Sequence, residues 1–292
     1  MAHAQPADVL PNYGAAPAPV AAPYSEQVRA RLLADAETVI ARYPRRRSAL
    51  LPLLHLVQSE DGYVSTRGIE LCAQVLGLTT AEVSGVATFY TQYKRHPNGQ
   101  YTVGVCTNTL CAIMGGDLIW EAVSDHLGIG HDETTADGMV TLERVECNAA
   151  CDYAPVVMAN WEFFDNQTPE SVVRLVDELR AGTPVRPTRG AAQVCTFKQV
   201  SRVLAGFPDG RADEGLGAGG ASLAGLRVAR ERGWDGRSVA AAAEATGSDG
   251  EPADPADAQP ATLGRTSSAD TPANAPDEHP AGHRRDDEAE RA

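Results

Sequence analysis

The sequence predicts an α+β chain that begins with a helical bundle, continues as an α/β domain and ends in a disordered tail. Three observations predict this order. Apolar residues recur at helical spacing through residues 28–76. From residue 101 they alternate as in half-buried strands, with helical spacing between the strands. Beyond about residue 206 the composition shifts to Gly, Ala, Asp, Pro and Ser.

These patterns divide the chain into five predicted segments. Residues 1–24, rich in Ala and Pro, form a disordered arm, and residues 25–96 form the helical bundle. Residues 97–187 form the α/β domain, residues 188–205 an extension, and residues 206–292 a mostly disordered acidic tail. The tail has too few aliphatic and aromatic residues to offset the entropy of ordering it. One piece of it, from Ser222 to Trp234, has the pattern of a short helix.

Four helices are predicted in the bundle. The first begins at Ser25, a typical N-cap, and stops at Pro44. The second covers residues 48–59, and the third starts near Thr66. Residues 79–82 have the Thr-x-x-Glu pattern of a capping box, which satisfies two free backbone donors at the start of a fourth helix.

The α/β domain places cysteines at the ends of its strands. A first strand ends at Cys106, and a loop holds Cys111 before the next helix. A second strand, residues 141–146, delivers Cys147. A hairpin over residues 155–164 and an amphipathic helix, which starts at a Thr-Pro N-cap and ends at a glycine, complete the domain. The order strand–helix–strand–strand–helix is consistent with a thioredoxin-like layer.

Composition excludes several classes of protein. The formal net charge of −14 argues against a nucleic-acid binder, which needs a basic surface. We expect a cytoplasmic protein without membrane insertion, because the sequence lacks a secretory pattern and an apolar run long enough for a bilayer. In that compartment structural disulfides are rare, so the six cysteines are expected to be ligands, redox groups or core residues.

Four cysteines form two spaced pairs. Cys106 and Cys111 form a C-x4-C motif, and Cys147 and Cys151 form a C-x3-C motif. Four thiolates suit either Zn²⁺ or an iron–sulfur cluster. Structural zinc sites favour the tighter C-x2-C spacing, whereas the two irons of a [2Fe–2S] cluster need two thiolates each. The spacing favours the cluster, and leaves a zinc site and a dithiol redox site as alternatives.

No catalytic residue is predicted. No G-x-G-x-x-G follows a strand, and there is no Walker loop, so the chain is not expected to bind NADH itself. His55 and His126 are expected to be packed or exposed rather than catalytic. Cys72 lies on the apolar stripe of a helix and is expected in the core. Cys195 is expected to be an ordinary free thiol.

Several motifs carry a family resemblance over about residues 30–185. They are Leu-Leu-His-Leu-Val-Gln at 53–58, Asp-Gly-Tyr at 61–63, Val-Ser-Gly-Val-Ala-Thr-Phe-Tyr at 83–90 and Cys-Asp-Tyr-Ala-Pro at 151–155, together with the cysteine pairs. With these motifs the chain resembles the family of the E-type subunit of NADH–quinone oxidoreductase, the respiratory complex I. The resemblance implies a thioredoxin-like domain with one [2Fe–2S] cluster, whose ligands would be Cys106, Cys111, Cys147 and Cys151.

The resemblance also implies partners and a role. The chain would be an electron-transfer subunit, part of an oxidoreductase but not catalytic alone. Its cluster would exchange one electron with an FMN held by the adjacent NADH-binding subunit. A multi-cluster iron–sulfur subunit would be the other neighbour, in a peripheral arm at the cytoplasmic face of the membrane. The cluster would shorten the lifetime of the flavin radical.

Two alternatives to the respiratory complex remain at this point. Similar subunits occur in NAD-linked formate dehydrogenases and in bidirectional NiFe hydrogenases. A zinc-stapled structural binding module, with no redox role, is the alternative from a different class.

Overall fold

A computed structural model describes residues 22–234. Its N-terminal part consists of four helices, namely α1 (Glu26–Ile40), α2 (Leu50–Asp61), α3 (Thr66–Leu76) and α4 (Thr80–Phe89). Hydroxyl groups cap three of them, because Ser25, Ser65 and Thr79 each accept a backbone N–H of the first turn. The capping box predicted at Thr79 is confirmed. The apolar faces of the four helices meet in one core that includes Leu32, Leu53 and Leu54.

A five-stranded mixed sheet follows the helices. Its strands are β1 (Tyr101–Cys106), β2 (Glu133–Thr134), β3 (Val140–Val145), β4 (Val157–Ala159) and β5 (Glu162–Phe164), in the order β2-β3-β1-β4-β5. β1 and β3 are parallel neighbours, whereas β4 pairs antiparallel with both β1 and β5. The helices of this region are α5 (Thr109–Ile113), α6 (Gly116–Leu127) and α7 (Pro169–Arg180). The apolar residues of α6 and α7 pack with those of β1 and β3 in a second core.

The structure corrects two details of the prediction. The second helix begins at Leu50 instead of residue 48, because residues Arg46–Ala49 form a 3₁₀ turn ahead of it. Cys111 lies in the short helix α5 and not in a loop, because Asn108 accepts a hydrogen bond from the backbone of Thr109 and starts a helical turn. The strand β2 was not predicted. The hairpin of β4 and β5 and the Thr168-Pro169 start of α7 are confirmed.

The extension after α7 connects both cores. It contains a helix that was not predicted, α8 (Phe197–Leu204). The Phe197 backbone N–H donates to the carbonyl of Gln100, and its ring stacks on Trp161 at 5.6 Å. On the other side, the Gln58 amide of α2 donates to the Ser201 hydroxyl at 3.3 Å. The extension therefore covers polar and aromatic groups of both regions.

The last described residues contain a further helix, α9 (Ala224–Glu231), where the sequence pattern predicts one. Its side chains are mostly exposed. The remainder of the predicted arm and tail, residues 1–21 and 235–292, lies outside the described residues. Among residues 22–234, each helix is too short or too polar to cross a bilayer.

Candidate metal centre

The sheet topology brings the two cysteine pairs to one edge. Cys106 is the last residue of β1 and lies opposite Val145, the last residue of β3. Cys147 follows β3 by two residues. Because β1 and β3 are parallel neighbours, their carboxyl ends meet at the same edge of the sheet. The structure therefore brings together the segments that the sequence pattern assigned to one site.

The first pair, Cys106 and Cys111, is buried, and we call it the inner pair. The two side chains are 2% and 3% exposed and pack with Ala150 and Val156. The Cys106 backbone N–H donates to the Val156 carbonyl at 3.2 Å, which fixes the end of β1. Four residues lie between the two cysteines, and the helical turn of α5 folds Cys111 back toward Cys106.

A glycine permits the close packing around the inner pair. A Cβ atom on Gly116, the first residue of α6, would lie 2.5 Å from the carbonyl oxygen of Cys106 and 2.8 Å from that of Cys111. Both distances are shorter than van der Waals contact, so a side chain here would push the cysteine backbones outward. Gly116 therefore forms part of the cradle for the inner pair.

The second pair, Cys147 and Cys151, is exposed, and we call it the outer pair. The two sulfur atoms lie 3.6 Å apart. The Ala149 backbone N–H donates to the Cys147 sulfur at 3.3 Å, and Ala149 has a positive φ of 53° that aims this N–H inward. Cys151 begins a 3₁₀ turn that runs to Tyr153.

The thiols of the two pairs influence each other electrostatically. Burial, and to a lesser extent the proximity of Cys106, raises the pKa of Cys111 to about 11, while a hydrogen bond from the Val156 backbone opposes the rise. The pKa of Cys151 is raised above its usual value, mainly by its hydrogen bond and charge interaction with Cys147. Thiols with raised pKa values are protonated at neutral pH, so a metal that binds them must displace their protons.

Two aromatic residues pack beside the inner pair. Tyr153 and Phe163 pack against the cluster of apolar side chains that surrounds the inner pair. The guanidinium of Arg189 lies 3.8 Å from the centroid of Phe163 and 5.4 Å from that of Tyr153. Arg189 also pairs with Asp165 at 2.9 Å, and both side chains are largely buried. Sequence reasoning missed Arg189, because nothing in the local pattern marks it.

The other cysteines and histidines lie elsewhere. Cys72 is fully buried among the helices, as predicted, and burial raises the pKa of its thiol to about 12. Cys195 is a free thiol, as predicted, but it also accepts a hydrogen bond from Arg211. His55 is buried against Tyr93, and His126 pairs with Asp177 at 2.7 Å.

The donor set suits a cluster with two metal atoms. It offers four thiols as two pairs at one edge of the sheet, and a backbone N–H is already directed at a sulfur. Within residues 22–234, no three Cys, His, Asp or Glu side chains are grouped closely enough to hold one metal ion. The two pairs fit a group that takes two thiolates at each of two irons, because each pair offers two thiols.

Comparison with known proteins defines the class. Residues 36–180 match the model of the family described as thioredoxin-like [2Fe–2S] ferredoxin, a range that contains all four paired cysteines. Among solved structures, a thioredoxin-like [2Fe–2S] ferredoxin from Aquifex aeolicus aligns with 21% identity and a TM-score of 0.25, over 30% of this chain and 92% of the other. The domain is thus a thioredoxin-like [2Fe–2S] ferredoxin by its family match.

Relatives among characterised proteins narrow the class. The E-type subunit of NADH-quinone oxidoreductase from Mycobacterium tuberculosis (strain H37Rv) is 66% identical over 209 residues, which are 71% of this chain and 82% of the relative. NADH-quinone oxidoreductase subunit 2 of Thermus thermophilus is 39% identical over 149 residues, 50% of this chain and 82% of the relative. The chain belongs to the family of the E-type subunit of NADH-quinone oxidoreductase.

The comparisons confirm the main functional prediction. The chain is an electron-transfer subunit of an NADH–quinone oxidoreductase and carries one [2Fe–2S] cluster. The names of these relatives favour the respiratory complex over the formate dehydrogenase and hydrogenase alternatives. The family match likewise favours an iron–sulfur site over a zinc or dithiol site.

Proposed function

We propose that Cys106, Cys111, Cys147 and Cys151 are the four ligands of the [2Fe–2S] cluster. The observation that carries the proposal is the meeting of the inner and outer pairs at the carboxyl ends of two neighbouring parallel strands. When bound, such a cluster supplies reversible one-electron transfer. The protein supplies thiolates from both sides, one buried and one exposed.

The inner and outer pairs would stabilise a charged cluster in different ways. The inner pair excludes water from one side through its apolar neighbours. On the outer side, the Ala149 N–H donates to the Cys147 sulfur and stabilises negative charge on it. Hydrogen bonds to the sulfurs and solvent exposure are the two features by which a protein sets the potential of such a cluster.

We also propose the domain division that the sequence predicts. Residues 25–96 would form a helical bundle and residues 97–187 the cluster domain. The separate apolar cores of the two regions support this division.

The partner of the cluster face is the NADH- and FMN-binding subunit. An apolar face lies beside the inner pair on α5 and α6, and its side chains are 42–77% exposed; it consists of Leu110, Ile113, Met114 and Leu118. A cluster of exposed apolar side chains is typical of a protein interface. Docking there would bring the flavin of the partner close to Cys111. The neighbouring multi-cluster iron–sulfur subunit would complete the peripheral arm at the cytoplasmic face of the membrane.

Iron and sulfide analysis of the anaerobically purified chain tests the ligand assignment. We expect two irons and two sulfides per chain and an EPR signal only after one-electron reduction. Changing any one of the four cysteines to serine should lower the cluster content or change the g values. Cys72→Ala is the control and should leave both unchanged, because Cys72 lies in the core of the helices and away from the four paired cysteines. A paired cysteine whose serine variant keeps the parental spectrum is not a ligand.

Reconstitution with the flavin subunit tests the partner assignment. Ile113→Ser combined with Leu118→Ser should weaken the complex by on the order of tenfold or more, since each loses a buried apolar contact. Leu51→Ser, a half-exposed leucine on α2, is the control. If both variants bind the flavin subunit with equal affinity, the apolar face is not part of the interface.

A further inference from the structure

A glycine-rich segment beyond the family match lies against the turn that carries Cys151. We call residues 208–223 the glycine strap. The family match ends at residue 180, so this segment is not part of the shared domain. The strap has no helix or strand of its own. It is held in place by hydrogen bonds to the extension at one end and to the cysteine turn at the other.

The first anchor of the strap is an arginine–glutamate pair. Arg211 forms two hydrogen bonds of 2.8 Å to the carboxylate of Glu214. The same guanidinium donates to the Gln193 carbonyl and to the Cys195 sulfur, and the Ala192 backbone N–H donates to Glu214 at 2.8 Å. A bidentate pair of this kind is directional as well as strong. It fixes the start of the strap on residues 192–195.

The middle of the strap is joined to Arg189, the residue that stacks on Phe163 and Tyr153. The Gly190 backbone N–H donates to the Leu216 carbonyl at 3.1 Å. Arg189 donates to the Gly217 carbonyl at 2.6 Å with the same guanidinium that stacks on Phe163 and pairs with Asp165. The position of the strap is therefore coupled to that of these two aromatic side chains.

The far end of the strap contacts the cysteine turn directly. The Ala221 backbone N–H donates to the Tyr153 hydroxyl at 3.1 Å, and the Ser222 hydroxyl donates to the Asp152 carboxylate at 2.7 Å. Asp152 and Tyr153 are the two residues that follow Cys151. Both of their side chains are thus held by the strap.

Two glycines allow this close approach. A Cβ atom on Gly215 would overlap the carbonyl oxygen of Gly190, and one on Gly219 would overlap the Tyr153 hydroxyl. A Cβ on Gly217 or Gly220 would meet open space. Residues 215–220 have the letters G-x-G-x-x-G, but no strand precedes them, and their close contacts are to this chain itself. The glycines therefore serve packing within the chain.

We propose that the glycine strap is a positioning element for Cys151. It holds Asp152 and Tyr153, keeps the turn of the outer pair in one conformation, and keeps Tyr153 packed against the apolar residues around the inner pair. This inference rests on the proposed function, because it takes Cys151 to be a ligand. None of the four proposed ligands lies in the strap, so its residues act as positioning residues.

Two single variants of the full chain, Gly219→Ala and Gly220→Ala, test the proposal. Each adds one methyl group, but only the group at position 219 would meet Tyr153. Gly219→Ala should displace Tyr153. We expect iron release to a chelator on the order of tenfold faster, since residues that support metal ligands have effects of this size. We also expect changed g values and a higher reduction potential, because water would stabilise the more negative reduced cluster. Gly220→Ala should match the parent in all three measurements.

Ser222→Ala adds no bulk and provides the second variant. It removes the hydrogen bond to Asp152 and should change iron release in the same direction by a smaller factor. The proposal is overturned when Gly219→Ala and Ser222→Ala hold two irons with the parental release rate, g values and potential. A lower thermal midpoint without those changes would also overturn it, because the strap would then support only the fold.

Failure of the ligand assignment would look different. In that case Cys151→Ser would keep the parental spectrum, whatever the strap variants do. A parental spectrum in the strap variants together with an altered spectrum in Cys151→Ser would reject the strap alone.

Discussion

The inner and outer pairs serve the same site but are held in place by different means. The inner pair is fixed by the fold of the domain, through β1, the turn of α5 and the close packing of Gly116. The outer pair lies on an exposed turn that α-helices and strands do not enclose. Its position depends on Tyr153, which is bonded through its backbone carbonyl to Asn166 and through its hydroxyl to Ala221.

This difference shows how one site can combine a rigid half with an adjustable half. Packing errors near the inner pair affect the whole domain, because its neighbours are core residues. Changes near the outer pair act through hydrogen bonds and ion pairs from distant parts of the chain. Three substitutions test this difference between the two pairs.

Arg189→Met would disturb Tyr153 and Phe163, which lie next to the turn of the outer pair. It leaves the Asp165 carboxylate, which is 7% exposed, without its guanidinium partner. Breaking a buried ion pair from one side costs about 3 kcal/mol of unfolding free energy. Urea unfolding of the purified chain measures this loss. Arg186→Met is the control, since Arg186 is exposed, and its effect should stay within about 0.5 kcal/mol. Equal midpoints for the two variants would contradict the prediction.

Gly116→Ala would disturb the inner pair. The new methyl group must displace the carbonyls of Cys106 and Cys111, and overpacking of this kind costs about 2 kcal/mol. We expect lower unfolding free energy together with lower iron content. Gly85→Ala in α4 is the matched helical control, because a Cβ there meets open space. It should gain about 0.5 kcal/mol from the reduced flexibility of the unfolded chain. If Gly116→Ala is as stable as Gly85→Ala, the backbone around Cys106 and Cys111 can shift to accommodate the methyl group without loss of stability.

Ala149→Gly would relax the outer pair. Ala149 has a φ of 53°, where an alanine is strained by about 1 kcal/mol relative to glycine. After the entropy cost of a glycine, we expect a net gain of about 0.5 kcal/mol in the same urea assay. Ala150 has a φ of −119°, where an alanine is not strained. Ala150→Gly should therefore lower the unfolding free energy, because only the entropy cost of glycine remains. Destabilisation by both changes would show that the strain at Ala149 is compensated elsewhere.

Features that depend on residues close together in the sequence were predictable. The capping box at Thr79 and the Thr168-Pro169 helix start follow from side chains that bond the next turn. The helix α8 also carries such a signal, since Thr196 and Gln199 form a capping box, and it could have been found. The grouping of the two cysteine pairs at one site was also predictable, because Cys106 and Cys147 each come at the end of a predicted strand.

The remaining features depend on contacts between residues far apart in the chain. Arg189 and Asp165 are 24 positions apart, and Ala221 is 68 positions from Tyr153. No periodicity encodes such pairs. Gly219 and Gly220 are adjacent and chemically identical, yet only the folded chain shows that one of them faces Tyr153.

The extension has a practical consequence for anyone who shortens this chain. The family match ends at residue 180, but α8 and the residues after it cover groups of the preceding regions. Arg202 pairs with Asp35 and lies over the ring of Phe207, and Arg42 donates to the Gly206 carbonyl. A cut at the end of the family match would strip these partners away and leave Gln58 and Trp161 open to water. A shortened chain that keeps these contacts and those of the glycine strap therefore extends at least to residue 223.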